Sequence, residues 1–119
     1  MKQREVINRT TFLLTDIMNL GNTITRLRKE KKITQKYLAD RCNVTQAYLS
    51  QIENNKKEPN LSTLKDISVV LGIPLTVMFF LSLEKSDVPR DKQSFFNEIK
   101  PTMVGFFESI FHDTPKSRH

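Results

Sequence analysis

The side chains best suited to chemistry are the amides and hydroxyls of segment 45–53. Gln46 and Ser50 are four residues apart, so a helix places them on one face, with Ala47 and Gln51 nearby. An exposed glutamine can pair with an adenine edge through its amide, and a serine can reach a base or a phosphate. These residue types predict readout of a DNA major groove. A solvated helix surface is the alternative interpretation.

Two short helices joined by a tight turn must position these side chains. Thr34 and Thr45 each precede a glutamine and can act as N-caps, while Asn43 falls where a left-handed backbone is common. Apolar residues at helical spacing predict the buried side: Leu38, Ala39, Cys42, Val44, Leu49 and Ile52. This layout is typical of a helix-turn-helix whose second helix is free to enter the major groove.

Further motifs flank these two helices. They are LRKEKK at 27–32, ITQ at 33–35, SQIEN at 50–54, EPNLSTL at 58–64, VLGIPL at 70–75 and FF at 79–80. With them, about half of the chain resembles the Cro/lambda-repressor-type (Xre-like) helix-turn-helix family of bacterial and phage regulators. Asn43 and Asn55 stand where that family usually has glycine. The resemblance implies an all-α, five-helix lambda-repressor-like DNA-binding domain and a regulatory function, and an additional C-terminal helical segment follows it.

Geometry and this resemblance together assign roles to the polar side chains. The predicted base contacts are Gln46, Ala47, Ser50 and Gln51, of which Gln46 pairs with adenine and Ala47 meets a thymine methyl. The predicted phosphate contacts are Gln35, Thr45, Tyr48, Asn54 and Lys56, although Tyr48 could instead pack in the core. Since one helix reads only a few base pairs, we expect a homodimer on an inverted repeat of double-stranded DNA.

The charge distribution agrees with a nucleic-acid partner. The 119-residue chain carries a net charge of +6, and segment 21–65 alone holds ten Lys and Arg residues against four acids. Binding to DNA requires such an electrostatic contribution. By itself the excess of basic residues fits a solvated surface equally well. Together with the helix-turn-helix motif it favours a DNA-binding function.

The chain divides into four predicted parts: an N-terminal extension at 1–18, a DNA-binding domain at 19–83, a charged linker at 84–92 and an amphipathic tail at 93–119. The extension is open to three interpretations: a start site misassigned ahead of Met18, an extra helix covering the domain, or a partner-binding arm. Within the domain, Asn60 is predicted to cap a helix that ends at Gly72. Its predicted inner face is Leu61, Leu64, Ile67, Val70 and Leu71.

The tail carries an apolar stripe that must be buried. Its residues recur at spacings of three and four, and the predicted dimer or partner interface is Phe96, Ile99, Met103, Phe106, Phe107 and Ile110. Pro101 interrupts the stripe and predicts a kink or two short helices. The stripe could fold back onto its own domain, meet a second copy of the chain or bind another protein.

Other function classes find little support in the sequence. Cys42 is the sole cysteine, so neither a disulfide framework nor a zinc cluster is predicted; we interpret it as a small core residue, with redox sensing as the alternative. Nothing pairs a nucleophile with a base, so neither an enzyme nor a cofactor or metal is expected. Apolar runs are too short for a bilayer, which favours a cytoplasmic protein without a membrane partner. The alternative function is a protein-interaction module, such as an antitoxin or adapter, that uses the tail.

Overall fold

The computed structural model describes residues 18–111, and within this range it is all-helical with no strand. The α-helices are α1 (Leu20–Glu30), α2 (Gln35–Arg41), α3 (Gln46–Glu53), α4 (Leu61–Leu71), α5 (Leu75–Ser82) and α6 (Gln93–Phe111). Two 3-10 turns, Lys85–Asp87 and Arg90–Lys92, occupy the segment predicted as a linker. The predicted all-α class is confirmed. The interpretation of residues 1–17 and the last part of the predicted tail, residues 112–119, lie outside the described residues.

Local signals in the sequence set the ends of several helices. Thr34, Thr45 and Asn60 each accept a hydrogen bond from the backbone N–H three residues on, at 3.0, 3.0 and 2.8 Å, as N-caps do. Gly72 ends α4 in the left-handed conformation, with φ at 72°. The predicted caps and the predicted stop are therefore confirmed.

The core lies where α1 crosses α3 and α5, with α2 and α4 closing its sides. Its buried apolar residues are Leu20, Ile24, Leu27, Leu38, Ala39, Cys42, Leu49, Ile52, Leu64, Ile67, Leu71, Val77, Met78 and Leu81. The prediction that Leu61 lies on the inner face of α4 was wrong. Leu61 is 60% exposed, because it begins α4 at the edge of the buried stripe. Ser68 lies in that stripe instead, and its hydroxyl donates to the carbonyl of Lys65.

The C-terminal segment forms one helix, α6, rather than two. Pro101 lies inside it and lacks the N–H that would bond to the carbonyl of Asn97. Both residues are exposed within the described chain, and the helix continues past the missing hydrogen bond. Of the two predicted outcomes, two short helices was wrong, and a kink at Pro101 stays a prediction.

The described residues also bear on membranes and metals. No single helix within 18–111 is long and apolar enough to cross a membrane; α4 and α5 reach that length and composition only as a pair bent by 95°. In the same range, no group of three or more His, Cys, Asp and Glu side chains is arranged to hold a metal ion.

Candidate nucleic-acid interface

The turn between α2 and α3 fixes how the two helices meet. Asn43 adopts a left-handed backbone with φ at 57°, which asparagine tolerates better than most residues. The N–H of Val44 then donates to the carbonyl of Ala39 at 3.1 Å and closes the turn. Ala39 is only 1% exposed, so a larger side chain would push the helices apart. The geometry leaves the outer side of α3 free.

The outer side of α3 brings the predicted base-contacting residues together. Gln46, Ala47 and Gln51 are exposed and Ser50 is half-buried. On the opposite side, Leu49 and Ile52 are buried in the core. A helix with one anchored side and one polar, solvent-facing side can lie in a major groove. The base contacts themselves remain a prediction.

A chain of polar contacts runs from α1 to the first residue of α3. Arg28 forms a forked ion pair with Glu53, with its Nε at 2.7 Å and its Nη2 at 3.1 Å from the carboxylate oxygens. Gln35 Nε2 donates to Glu53 at 3.0 Å, and Gln46 Nε2 donates to Gln35 Oε1 at 3.4 Å. The buried ion pair therefore positions Gln35, and Gln35 positions the amide that is predicted to read adenine.

This contact is compatible with the predicted pairing of the Gln46 amide with a base. The Nε2 group carries two N–H donors, of which Gln35 takes one, and Oε1 accepts no hydrogen bond from the residues that the structure describes. Bidentate pairing with adenine needs one donor and one acceptor. The orientation seen here supplies both.

The pairing of Arg28 with Glu53 was not predicted from the sequence, where the two residues stand only as charges and as members of separate motifs. A signal was present, since Glu53 follows Leu49 by four residues and thus falls on the buried side of α3. A buried glutamate needs a cation. Which cation it would be depends on the tertiary packing of α1 against α3.

The predicted phosphate contacts lie around this face. Gln35 begins α2, and the Thr45 hydroxyl oxygen caps α3 by accepting the N–H of Tyr48. Tyr48 is half-buried and packs against the core. Asn54 Nδ2 donates to the carbonyl of Ser50 at 2.9 Å, and Lys56 is exposed.

The loop after α3 is bonded through the backbone of its two lysines to Gln51 on the outer side of α3. The backbone N–H groups of Lys56 and Lys57 both donate to the carbonyl of Gln51, at 2.8 and 3.2 Å. Their side chains are exposed. Lys56 is therefore fixed at its backbone while its ammonium group can reach a phosphate, as Lys commonly does.

Helix α1 meets the end of α3 at an unusually close contact. Asn55 has φ at 58°; its Oδ1 accepts the N–H of Gly21 at 3.0 Å, and its Nδ2 donates to Asn19 Oδ1 at 2.7 Å. A Cβ on Gly21 would lie 2.5 Å from the carbonyl oxygen of Glu53 and 2.6 Å from that of Ile52. This glycine, whose role was not predicted from the sequence, lets α1 approach α3.

Cys42 lies in the core at the end of α2. Burial raises the pKa of its thiol, and the nearby Asp66 carboxylate raises it further, against an opposing effect of Arg41. A buried, protonated thiol is a poor nucleophile, so its environment favours the core interpretation over redox sensing.

The stripe predicted as an interface is divided between two environments. Phe107 packs against the domain, with its ring centroid 5.4 Å from that of Phe80 in an edge-to-face contact, and Val104 and Phe111 also contact the core. Phe96 and Met103 are half-buried. The remaining large apolar residues of α6 are exposed: Phe95, Ile99, Phe106 and Ile110.

Comparison with known proteins identifies the family. A helix-turn-helix family profile matches residues 24–78. The chain is 30% identical to the immunity repressor protein of Bacillus phage phi105 over 100 residues, which are 84% of this chain and 67% of the repressor. This chain belongs to the Xre/Cro-type helix-turn-helix family.

Other similar proteins support the same family assignment. Control protein C.MunI from a Mycoplasma species is 38% identical over 63 residues, covering 52% of this chain and 85% of that protein. The clp gene regulator ClgR from Corynebacterium glutamicum shares the fold, with a TM-score of 0.53 and 19% identity over 81% of this chain and 94% of that one. The protein is thus a DNA-binding transcriptional regulator, and its family points away from an enzyme.

Proposed function

We propose that the protein is a repressor-like regulator that binds an inverted-repeat operator as a homodimer in the cytoplasm. The observation that carries this proposal is the exposed face of α3, where Gln46, Ala47 and Gln51 project beside Lys56. Two amide side chains on an anchored helix suit sequence readout. The adjoining lysine supplies the electrostatic attraction that every DNA sequence shares.

Selection from a random duplex library tests this function directly. The full-length protein is incubated with the library at physiological salt, and the bound fraction is sequenced. An enriched inverted repeat with half-site centres about 34 Å apart is the expected result. A bound pool without a common sequence, held only by salt-sensitive attraction, would contradict the proposal.

Substitution of Gln46 by alanine should weaken operator binding selectively. We expect a loss of about 1–3 kcal/mol at the selected operator and little change on random DNA, because the lost amide pairs with a base edge. Fluorescence anisotropy with both duplexes measures the difference.

Lys56→Ala is the matched control for this experiment. It should weaken binding to both duplexes alike and reduce the salt slope by about 1, because the lysine contacts a phosphate. Equal losses on both duplexes for Gln46→Ala would remove Gln46 from the base-reading set.

The exposed side of α6 is the proposed dimer surface. Phe95, Ile99, Phe106 and Ile110 are 63%, 38%, 53% and 52% exposed, and their spacings of four, seven and four place them on one stripe of the helix. A continuous stripe of large apolar side chains is typical of an interaction surface. A second copy presents the same stripe, which makes a two-fold symmetric contact possible.

Charge on this stripe should abolish the dimer. We expect the wild-type protein to sediment at about twice its 13.9 kDa chain mass and Phe106→Asp/Ile110→Asp to sediment as a monomer with weaker operator binding. Analytical ultracentrifugation measures the mass. Ser94→Asp, an exposed change on a different side of the same helix, should leave the dimer intact. A doubly charged variant that still dimerised would place the dimer contact elsewhere.

A further inference from the structure

A second side of α6 carries an open groove, distinct from the proposed dimer stripe. The groove, here called the Gly105 groove, has a volume of about 520 Å³ and is lined by Asn97, Lys100, Pro101, Val104, Gly105 and Glu108. Gly105 and Phe106 are adjacent in a helix, so their side-chain directions differ by about 100°. The groove and the dimer stripe therefore face different neighbours.

Pro101 and Gly105, at the centre of this groove, have low helix propensity, which is unfavourable on an uncovered helix surface. Pro101 and Gly105 both disfavour a helix interior. A Cβ added to Gly105 would meet no atom of the described chain within 4 Å, so no described neighbour requires glycine there. A glycine on a helix surface often marks close approach by another backbone.

The groove shares two lining residues with a polar pocket near the start of the described chain. This pocket, with a volume of about 200 Å³, includes Asn19, Ser82 and Glu84, and it shares Lys100 and Val104 with the Gly105 groove. The N–H of Asn19 donates to the carbonyl of Ser82 at 2.9 Å. This bond fixes the start of the described chain beside the pocket.

The geometry points to residues 1–17 of the same chain as the occupant of the Gly105 groove. The segment is rich in apolar side chains, which are Val6, Ile7, Phe12, Leu13, Leu14 and Ile17. Its attachment at Met18, which packs against the core, gives it a high effective concentration at the groove. Seventeen residues reach about 55 Å when extended, more than the 49 Å length of the described protein.

Docking of residues 1–17 would add a third contact to the two that already hold α6 on the domain. Val104 and Phe107 hold the helix on the core, and the Lys100 ammonium group donates to the carbonyl of Leu83. The N-terminal segment would cover the adjoining side and fix the helix that carries the dimer stripe. This inference concerns contacts within one chain, so it does not depend on operator recognition.

A thermodynamic cycle in the full-length protein tests the inference. One variant is Gly105→Ala, the second is Phe12→Ser/Leu13→Ser/Leu14→Ser, and the third combines them. Where the groove is empty, alanine favours the helix and should raise Tm by about 4 °C. We expect that rise only in the serine background. With the native segment in place, the added methyl group should leave Tm unchanged or lower it.

Two controls distinguish docking of residues 1–17 of the same chain from contact with a second copy. Thr102→Ala, exposed on α6 outside the groove, should shift Tm equally in both backgrounds. The cycle is then repeated with Phe106→Asp/Ile110→Asp, where coupling that persists supports docking within one chain. An equal Tm rise for Gly105→Ala in both backgrounds, or coupling that disappears in the charged variant, would overturn the inference.

Discussion

Replacing Glu53 by alanine should lower the free energy of unfolding by about 3–5 kcal/mol, because it leaves the largely buried Arg28 guanidinium without a counter-charge. The two side chains are only 4% and 11% exposed, so water cannot fully take over the guanidinium hydrogen bonds. Arg28 Nη1 also donates to the carbonyl of Ile33 at 3.0 Å, which would hold the uncompensated charge in place. Urea denaturation with matched slopes measures the loss.

The chain contains a matched control for this ion pair. Lys36 and Asp40 form a surface pair at 3.3 Å, with side chains 72% and 65% exposed. Asp40→Ala should cost less than about 0.5 kcal/mol. Arg28→Met/Glu53→Met removes both charges and should recover most of the stability. A Glu53→Ala loss as small as that of the surface pair would show that the buried pair does not hold the domain together.

We expect Gly21→Ala to lower the free energy of unfolding by about 2–4 kcal/mol. The new methyl carbon would lie 2.5 Å from the carbonyl oxygen of Glu53 and 2.7 Å from Asn55 Oδ1, so α1 must move away from α3. That movement breaks the hydrogen bond from the Gly21 N–H to Asn55. Thermal and urea unfolding measure the effect.

An open helical glycine would respond in the opposite sense, with a gain of about 0.5–1 kcal/mol on substitution by alanine. A gain of that kind at Gly21 would therefore contradict the close approach of α1 to α3. Lys29→Ala, an exposed change on the same helix, should stay within about 0.5 kcal/mol and calibrates the comparison.

Features that depend on neighbouring residues in the sequence were the predictable ones. The caps at Thr34, Thr45 and Asn60 follow from the preference of short polar side chains for a helix start. The left-handed backbone at Asn43 follows from the tolerance of asparagine for that conformation. The apolar spacing that buries Leu49 and Ile52 also leaves the Gln46 face exposed.

Features that depend on distant parts of the chain were not predictable. Arg28 and Glu53 are 25 residues apart, and only the crossing of α1 and α3 brings them together. The demand for glycine at position 21 arises from carbonyl groups at the far end of α3. Leu61 fits the helical spacing of α4 but lies at its first residue, where burial depends on what packs there. Lys32 takes a left-handed backbone, with φ at 60°, that its residue type does not indicate.

The hydrogen bond between Gln46 and Gln35 has a consequence for changing operator preference. Transplanting only the outward-facing residues of α3 from a relative would import a side chain at position 46 without the partner that orients it on α2. Gln35 in turn depends on Glu53, which is buried and would ordinarily be excluded from such a graft. A specificity exchange in this scaffold should therefore move residues 35, 46 and 53 as one unit.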